Sequence, residues 1–197
     1  GFTWYIYYET HREIYPGSEA YQIKKGSSLR EFAKELENRR VITRDWPLLA
    51  WAIYRNETRK VQAGEYRFDD VSSLKKILRQ IILGQVVTYP TTFIEGWTFL
   101  EIRRALEGAE HLLPDSAGLT DQEILAAIGS NYDHPEGLFF PDTYNSVRGS
   151  SQLSMLSRAY QEMEKNLADS WVVRKAGLPL ADPYEALILA SIIERES

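Results

Sequence analysis

Apolar residues recur along this chain with two periods, one helical and one strand-like. Leu29, Phe32, Ala33 and Leu36 fall at i, i+3, i+4 and i+7, the spacing of one buried helix face. Ser28 precedes them and Glu31 lies three residues on, a capping box that starts the helix. Trp46, Leu49, Ala50 and Ile53 form a second stripe, predicting a helix from near Thr43. Before this pair, "AYQIKKG" alternates like a strand and ends at Gly26; after it, "VQAGEYRF" reads as a turn and a strand. The order β-α-α-β is the plan of a LysM-like module. A third helix, about Leu74 to Leu83, carries Leu74, Ile77, Leu78, Ile81 and Ile82 and stops at Gly84.

Beyond Gly84 the pattern changes. "QVVTYPTTFIEG" is rich in β-branched and aromatic residues and reads as a strand, placed at an edge by Pro90. Thr98 with Glu101, and Thr120 with Glu123, are two more capping boxes. "EGAEHLLPDSAG" reads as loop, and "NYDHPEGLFFPDTYNSVRGSS" as a long connection marked by Gly and Pro. A long helix is expected from about Gln152 to Ser170. The opening "GFTWYIYY" reads either as a first strand or as an aromatic interfacial belt following a membrane helix. The expected class is therefore α+β. Residues 1–19 form a leading or juxtamembrane segment, 20–85 the LysM-like module with its following helix, and 86–197 a mixed α/β domain.

The last predicted helix poses a chemical question. Asp182 suits the N-cap, Pro183 the first turn, and Glu185 the positive end of the helix dipole. From Ala186 to Ile193 the helix is apolar on every side, so burial inside a domain is expected. Glu194 then follows Leu187, Ala190 and Ser191 at i−7, i−4 and i−3, above a face that turns from apolar to small. A carboxyl group there has two readings. It is a solvated glutamate at a helix end, or a proton donor whose pKa desolvation has raised. Periodicity alone does not choose between them.

Composition narrows the remaining classes. The 197 residues are 44% hydrophobic and 26% charged, an ordinary globular balance. A net charge of −5 gives no basic face for nucleic acid. The chain has no cysteine, which removes disulfides and thiolate metal sites. Its three histidines, His11, His111 and His134, lack metal-ligand spacing, which argues against zinc. No run of about 18 apolar residues is present, so no membrane span is expected within these residues.

Five words in the sequence carry a resemblance: "AGEYRF" (63–68), "EGW" (95–97), "EGLFFPDTY" (136–144), "GLPLAD" (177–182) and "ASIIERES" (190–197). In this order and spacing the chain resembles the YceG-like, or MltG, family of endolytic murein transglycosylases over nearly its whole length. The resemblance implies that Glu194 is the catalytic acid, protonating the bond between N-acetylmuramic acid and N-acetylglucosamine. The muramyl 6-hydroxyl would then close on its own anomeric carbon. Because the substrate supplies that nucleophile, one acid can replace the usual carboxylate pair. Glu136, Phe139, Asp142, Tyr144 and Ser191 are the expected substrate-binding residues, with the aromatics suited to sugar faces. Glu196, about 200° round the helix, is expected to be structural or solvated.

The resemblance also implies no cofactor and glycan strands of peptidoglycan as substrate. It further implies a single-pass anchor in the bacterial inner membrane, a periplasmic catalytic part, and peptidoglycan synthases as neighbours. Family members continue past the catalytic helix, so a C-terminally incomplete domain is expected at Ser197. Two competing readings stand beside this one. A peptidoglycan-binding module without catalysis would hold glycan and leave it uncut. An aminodeoxychorismate lyase would need a lysine set for pyridoxal phosphate, and no lysine here has that setting.

Overall fold

Eight helices and six short strands make up the described residues, a mixed α+β architecture. The computed structural model describes residues 1–175 and 177–196, without the side chains of Phe2 and residues 194–196. The chain divides into two units, Gly1–Thr88 and Tyr89–Ser197.

The first unit opens with helix α1 (Phe2–His11), where a strand was one expectation. The correction has a local cause and a tertiary one. At helical spacing Trp4 stacks on Tyr8 (5.7 Å between ring centres) and Tyr7 on His11 (3.9 Å). Tyr5 stacks on Trp46 (5.6 Å), so packing overrides the strand preference of aromatic residues. Strand β1 (Tyr21–Ile23) leads through helices α2 (Leu29–Asn38) and α3 (Trp46–Tyr54) to strand β2 (Gly64–Tyr66). The two strands pair antiparallel, Tyr21 opposite Tyr66 and Ile23 opposite Gly64.

The capping box at Ser28 and Glu31 is formed, and α2 buries Leu29, Phe32, Ala33 and Leu36. Helix α4 (Leu74–Leu83) adds Leu74, Ile77, Leu78 and Ile81 to the same core, and Gly84 ends it in the left-handed region at φ 63°. The buried Tyr21 and Tyr66 donate their hydroxyls to the carbonyls of Pro16 (2.6 Å) and Gln62 (2.8 Å), which satisfies both inside the core.

The second unit begins with strand β3 (Tyr89–Thr92), which holds Pro90. Helix α5 (Phe99–Glu107), strand β4 (Leu112–Leu113), helix α6 (Asp121–Ala127), strands β5 (Thr143–Ser146) and β6 (Ser150–Ser151) and helix α7 (Gln152–Val172) follow. Strands β3 and β5 pair antiparallel, Tyr89 opposite Ser146 and Thr92 opposite Thr143; β4 and β6 pair in parallel. Three of these strands lie in stretches whose pattern reads as loop. "TYNS" is polar by composition and turns only Tyr144 and Ser146 inward, and β4 and β6 are two residues each, too short for any period to show.

Helix α8 (Pro183–Glu196) differs from expectation in its burial. Its start is as expected, with the Glu185 N–H donated to Asp182 Oδ1 at 2.9 Å. Full burial is not observed. Ile188, Leu189, Ile192 and Ile193 are 45–58% exposed. The helix packs by one side against α7, through which Tyr184 joins the second core, and its far side has no apolar layer over it among the described residues. Among the described residues no helix is long and apolar enough to cross a membrane.

Candidate functional site

A cleft of about 720 Å³ opens in the second unit, and four segments build it. The first is the turn from β3 into α5, Phe93 to Thr98, which contains "EGW". The second is the 136–141 loop, the third the C-terminal half of α7, and the fourth the inner side of α8. Both turn segments rest on a Glu-Gly pair whose glycine is left-handed, Gly96 at φ 78° and Gly137 at φ 76°. Gly137 has a second constraint. A Cβ there would stand 3.5 Å from Leu187 Cδ2, so the loop approaches α8 to ordinary van der Waals contact.

The start of α5 is held from two directions. Glu101 Oε2 accepts from the Thr98 N–H and hydroxyl, both at 2.7 Å, which holds its carboxyl below the usual range. Glu136 Oε2 accepts from the Phe99 N–H at 3.0 Å across 37 residues of chain, tying the "EGLFFP" loop to the "EGW" turn. The carboxylate also sits where the dipole of α5 favours negative charge.

The aromatic residues of the loop point to scaffolding. Phe139 is 5% exposed and stacks on Phe99 (5.1 Å), so it contributes floor to the cleft and no free platform. Tyr144 does not line the cleft. Its ring packs against Phe93 (5.2 Å), and its hydroxyl donates to the Phe140 carbonyl at 2.7 Å. Burial, reinforced by the nearby Asp142 charge, pushes the Tyr144 hydroxyl up to about 12. Asp142 is exposed and outside the cleft lining. Its carboxylate accepts from the Thr143 N–H at 2.6 Å, while its carbonyl accepts from Phe93, continuing the β3–β5 register.

On α8 the lining residues are Tyr184, Leu187, Ile188, Ala190 and Ser191, a helical stripe. Ser191 Oγ donates to the Ile188 carbonyl at 2.8 Å. Tyr184 pins the helix start by stacking on Tyr132 (4.7 Å), whose hydroxyl reaches Glu164 at 3.4 Å and is pushed up to about 12, by burial first and by Glu164 next. Glu194 belongs to α8, and its side chain lies outside the described residues, as does that of Glu196.

The structure therefore brings Glu136, Phe139 and Ser191 to one cleft and places Tyr144 and Asp142 behind it. It adds polar residues that the sequence pattern does not single out, Glu95, Asn166 and Ser170. For α7 a signal was present. Met163, Asn166, Leu167 and Ser170 keep helical spacing but mix polar with apolar, unusual for a face that meets protein. Asn166 Nδ2 donates to the Glu162 carbonyl (2.7 Å), so its amide is held in place. An apolar floor (Phe93, Phe139, Met163, Leu187) under a polar rim (Glu95, Glu136, Asn166, Ser170, Ser191) suits an amphiphilic ligand. A sugar is one, with an apolar ring face and hydroxyl edges. Among the described residues no group of three His, Cys, Asp or Glu could hold a metal ion.

An α+β chain with such a cleft is the class the fold and site define. The model of the YceG-like family matches residues 21–197, and the chain belongs to that family. Among solved structures it is similar to the crystal structure of a yceG-like protein from Listeria monocytogenes, at 20% identity and a TM-score of 0.34. That similarity covers 78% of this chain and 57% of the Listeria chain, so the chain spans less than two thirds of that relative's length. No match was found among curated proteins.

Proposed function

We propose that the protein is an endolytic lytic transglycosylase of peptidoglycan, with Glu194 as its general acid. Glu194 gives its proton to the glycosidic oxygen leaving with N-acetylglucosamine, and the bond from that oxygen to the muramyl anomeric carbon breaks. The muramyl 6-hydroxyl bonds to the same carbon and returns its proton to the carboxylate. No water is consumed, and a 1,6-anhydro end remains. Intramolecular attack supplies the effective concentration that a second carboxylate would otherwise have to provide.

The observation that carries this reading is the cleft itself, in which "EGW", "EGLFFP" and the start of "ASIIERES" meet. The stripe Leu187, Ala190 and Ser191 reaches position 194 at the next helical interval, which supports Glu194 as the residue at the cleft's end. Glu136 and Glu95 then serve as rim groups for sugar hydroxyls, and Ser191 as a small neighbour leaving room for the ring. In the same reading the β-α-α-β unit acts as a LysM-like glycan-binding module. The protein works on the periplasmic side of the bacterial inner membrane, anchored there and beside peptidoglycan synthases. The exposed Trp4, Tyr7 and Tyr8 of α1 support a place near a membrane surface, where such side chains concentrate.

Product chemistry tests the reaction class. Digestion of purified sacculi should release fragments ending in 1,6-anhydro-N-acetylmuramic acid, identified by mass. Reducing ends would instead indicate a hydrolase, and glycan retained without new ends would indicate a binding module.

A further inference from the structure

A second concavity, about 450 Å³, lies in the same unit, outside the cleft. It is walled by β3, the C-terminal end of α5, and Glu110, His111 and Arg148. The pocket is ordered by its own polar contacts. Tyr89 stacks on the His111 ring (5.0 Å, 20° between planes), and Thr91 Oγ1 lies 3.4 Å from His111 Nε2. Arg148 donates to the Tyr89 hydroxyl at 2.9 Å, with its guanidinium 4.9 Å from the ring centre. The His111 carbonyl accepts from Gly149 at 2.7 Å, fixing the turn that carries Arg148.

The charges of this pocket are matched one to one. Among the described lining residues Arg148 is the single Arg or Lys and Glu110 the single carboxylate. His111 is held below its ordinary pKa, by burial first and then by the Arg148 charge, so at neutral pH it adds no cation. The end of α5 brings the negative pole of its dipole to the Gly108–Glu110 side. The remaining wall is small, with Pro90, Ala105 and Ala109 offering methyl-sized contacts and Thr91 and Thr92 offering hydroxyls. Ser146, opposite Tyr89 in the sheet, buries a hydroxyl without a hydrogen-bond partner among the described residues, a cost more often met at sites than in plain cores.

We propose that this pocket binds a small zwitterion, the ammonium and carboxylate of an alanine-like amino-acid or peptide end. The carboxylate pairs with the Arg148 guanidinium, whose planar fork suits it. The ammonium pairs with Glu110 at the α5 terminus, and a methyl side chain meets Ala105 and Ala109. A purely anionic ligand would meet Glu110, and a purely cationic one Arg148. The inference rests on the proposed function only for the ligand's source, since wall peptides end in D-alanine.

The test reads binding and is independent of Glu194. His111 is one of three histidines, so its imidazole signals can be followed by NMR in the whole protein. Alanine and D-alanyl-D-alanine should shift them saturably, at least about tenfold more tightly than alaninamide or N-acetylalanine, each of which lacks one charge. Arg148→Gln and Glu110→Gln should each weaken binding by a similar factor while the other two histidines keep their shifts. Tighter binding of the dipeptide assigns the source to wall peptide, and tighter binding of alanine to the free amino acid. Equal binding of N-acetylalanine, no saturable shift at millimolar ligand, or no effect of either variant would overturn the proposal.

Discussion

Helix α2 and helix α8 are both rich in apolar residues, yet they are held in opposite ways. Helix α2 turns one clean stripe inward, where Ala33 and Leu36 are wholly buried, and its polar side faces out. Its place is fixed by burial, the largest favourable contribution to folding. Helix α8 is apolar around most of its circumference, and much of that surface is exposed. Its place is fixed by a few contacts, Tyr184 on Tyr132 and Leu187 near Gly137, and its inner side forms a wall of the cleft. The first arrangement serves stability. The second gives up part of the available burial to leave a concave, ligand-sized space between α8 and the loop.

That contrast can be broken by substitution. Leu36→Ala should cost about 2–5 kcal/mol, because a wholly buried leucine leaves a cavity behind. Denaturant unfolding would measure it. Leu187→Ala, at a half-buried cleft position, should cost well under that while lowering glycan cleavage through a loosened wall. Equal stability losses at the two positions would erase the distinction drawn here.

Two smaller effects sharpen it. Thr98→Ala removes the N-cap of α5 and should cost about 1 kcal/mol, read as a lowered unfolding midpoint. Tyr144→Phe removes the hydroxyl that holds the Phe140 carbonyl and should cost about 1 kcal/mol at neutral pH. The same variant should change the alkaline limb. With Tyr144 and Tyr132 pushed up to about 12 from 10.0, the folded protein keeps protons that the unfolded chain releases. Their contribution is complete below pH 10 and is lost as pH rises towards 12. Tyr144→Phe should therefore flatten the fall in stability between those values, and an unchanged slope would count against the burial of that hydroxyl.

How much of this was legible in the sequence follows from the same contrast. The three capping boxes and the stripes of α2, α4 and α5 are local, so they could be read residue by residue and are formed as expected. Helix α1 was not legible, because its aromatic residues favour strands until i,i+4 stacking and Trp46 are taken into account. Strand β5 was hidden for a related reason, since its pairing partner lies more than fifty residues earlier and its own four residues are mostly polar. Within the site, the quoted words marked the right segments, and Glu136, Phe139 and Ser191 do line one cleft. Pattern could not separate Phe139, with its ring against Phe99, or Tyr144, with its ring against Phe93, from free sugar platforms, because that depends on long-range packing. Asn166 and Ser170 were readable only as a polar interruption on α7.

The central claim is that one carboxylic acid at position 194 suffices for bond cleavage. The most direct measurement compares the rate of 1,6-anhydro end formation from sacculi by the protein and its Glu194→Gln variant, with Glu95→Gln and Glu136→Gln alongside. A loss of roughly 10²–10⁴-fold confined to Glu194→Gln, with unfolding unchanged, is the predicted result. Anhydro ends released by Glu194→Gln at close to the original rate would contradict it.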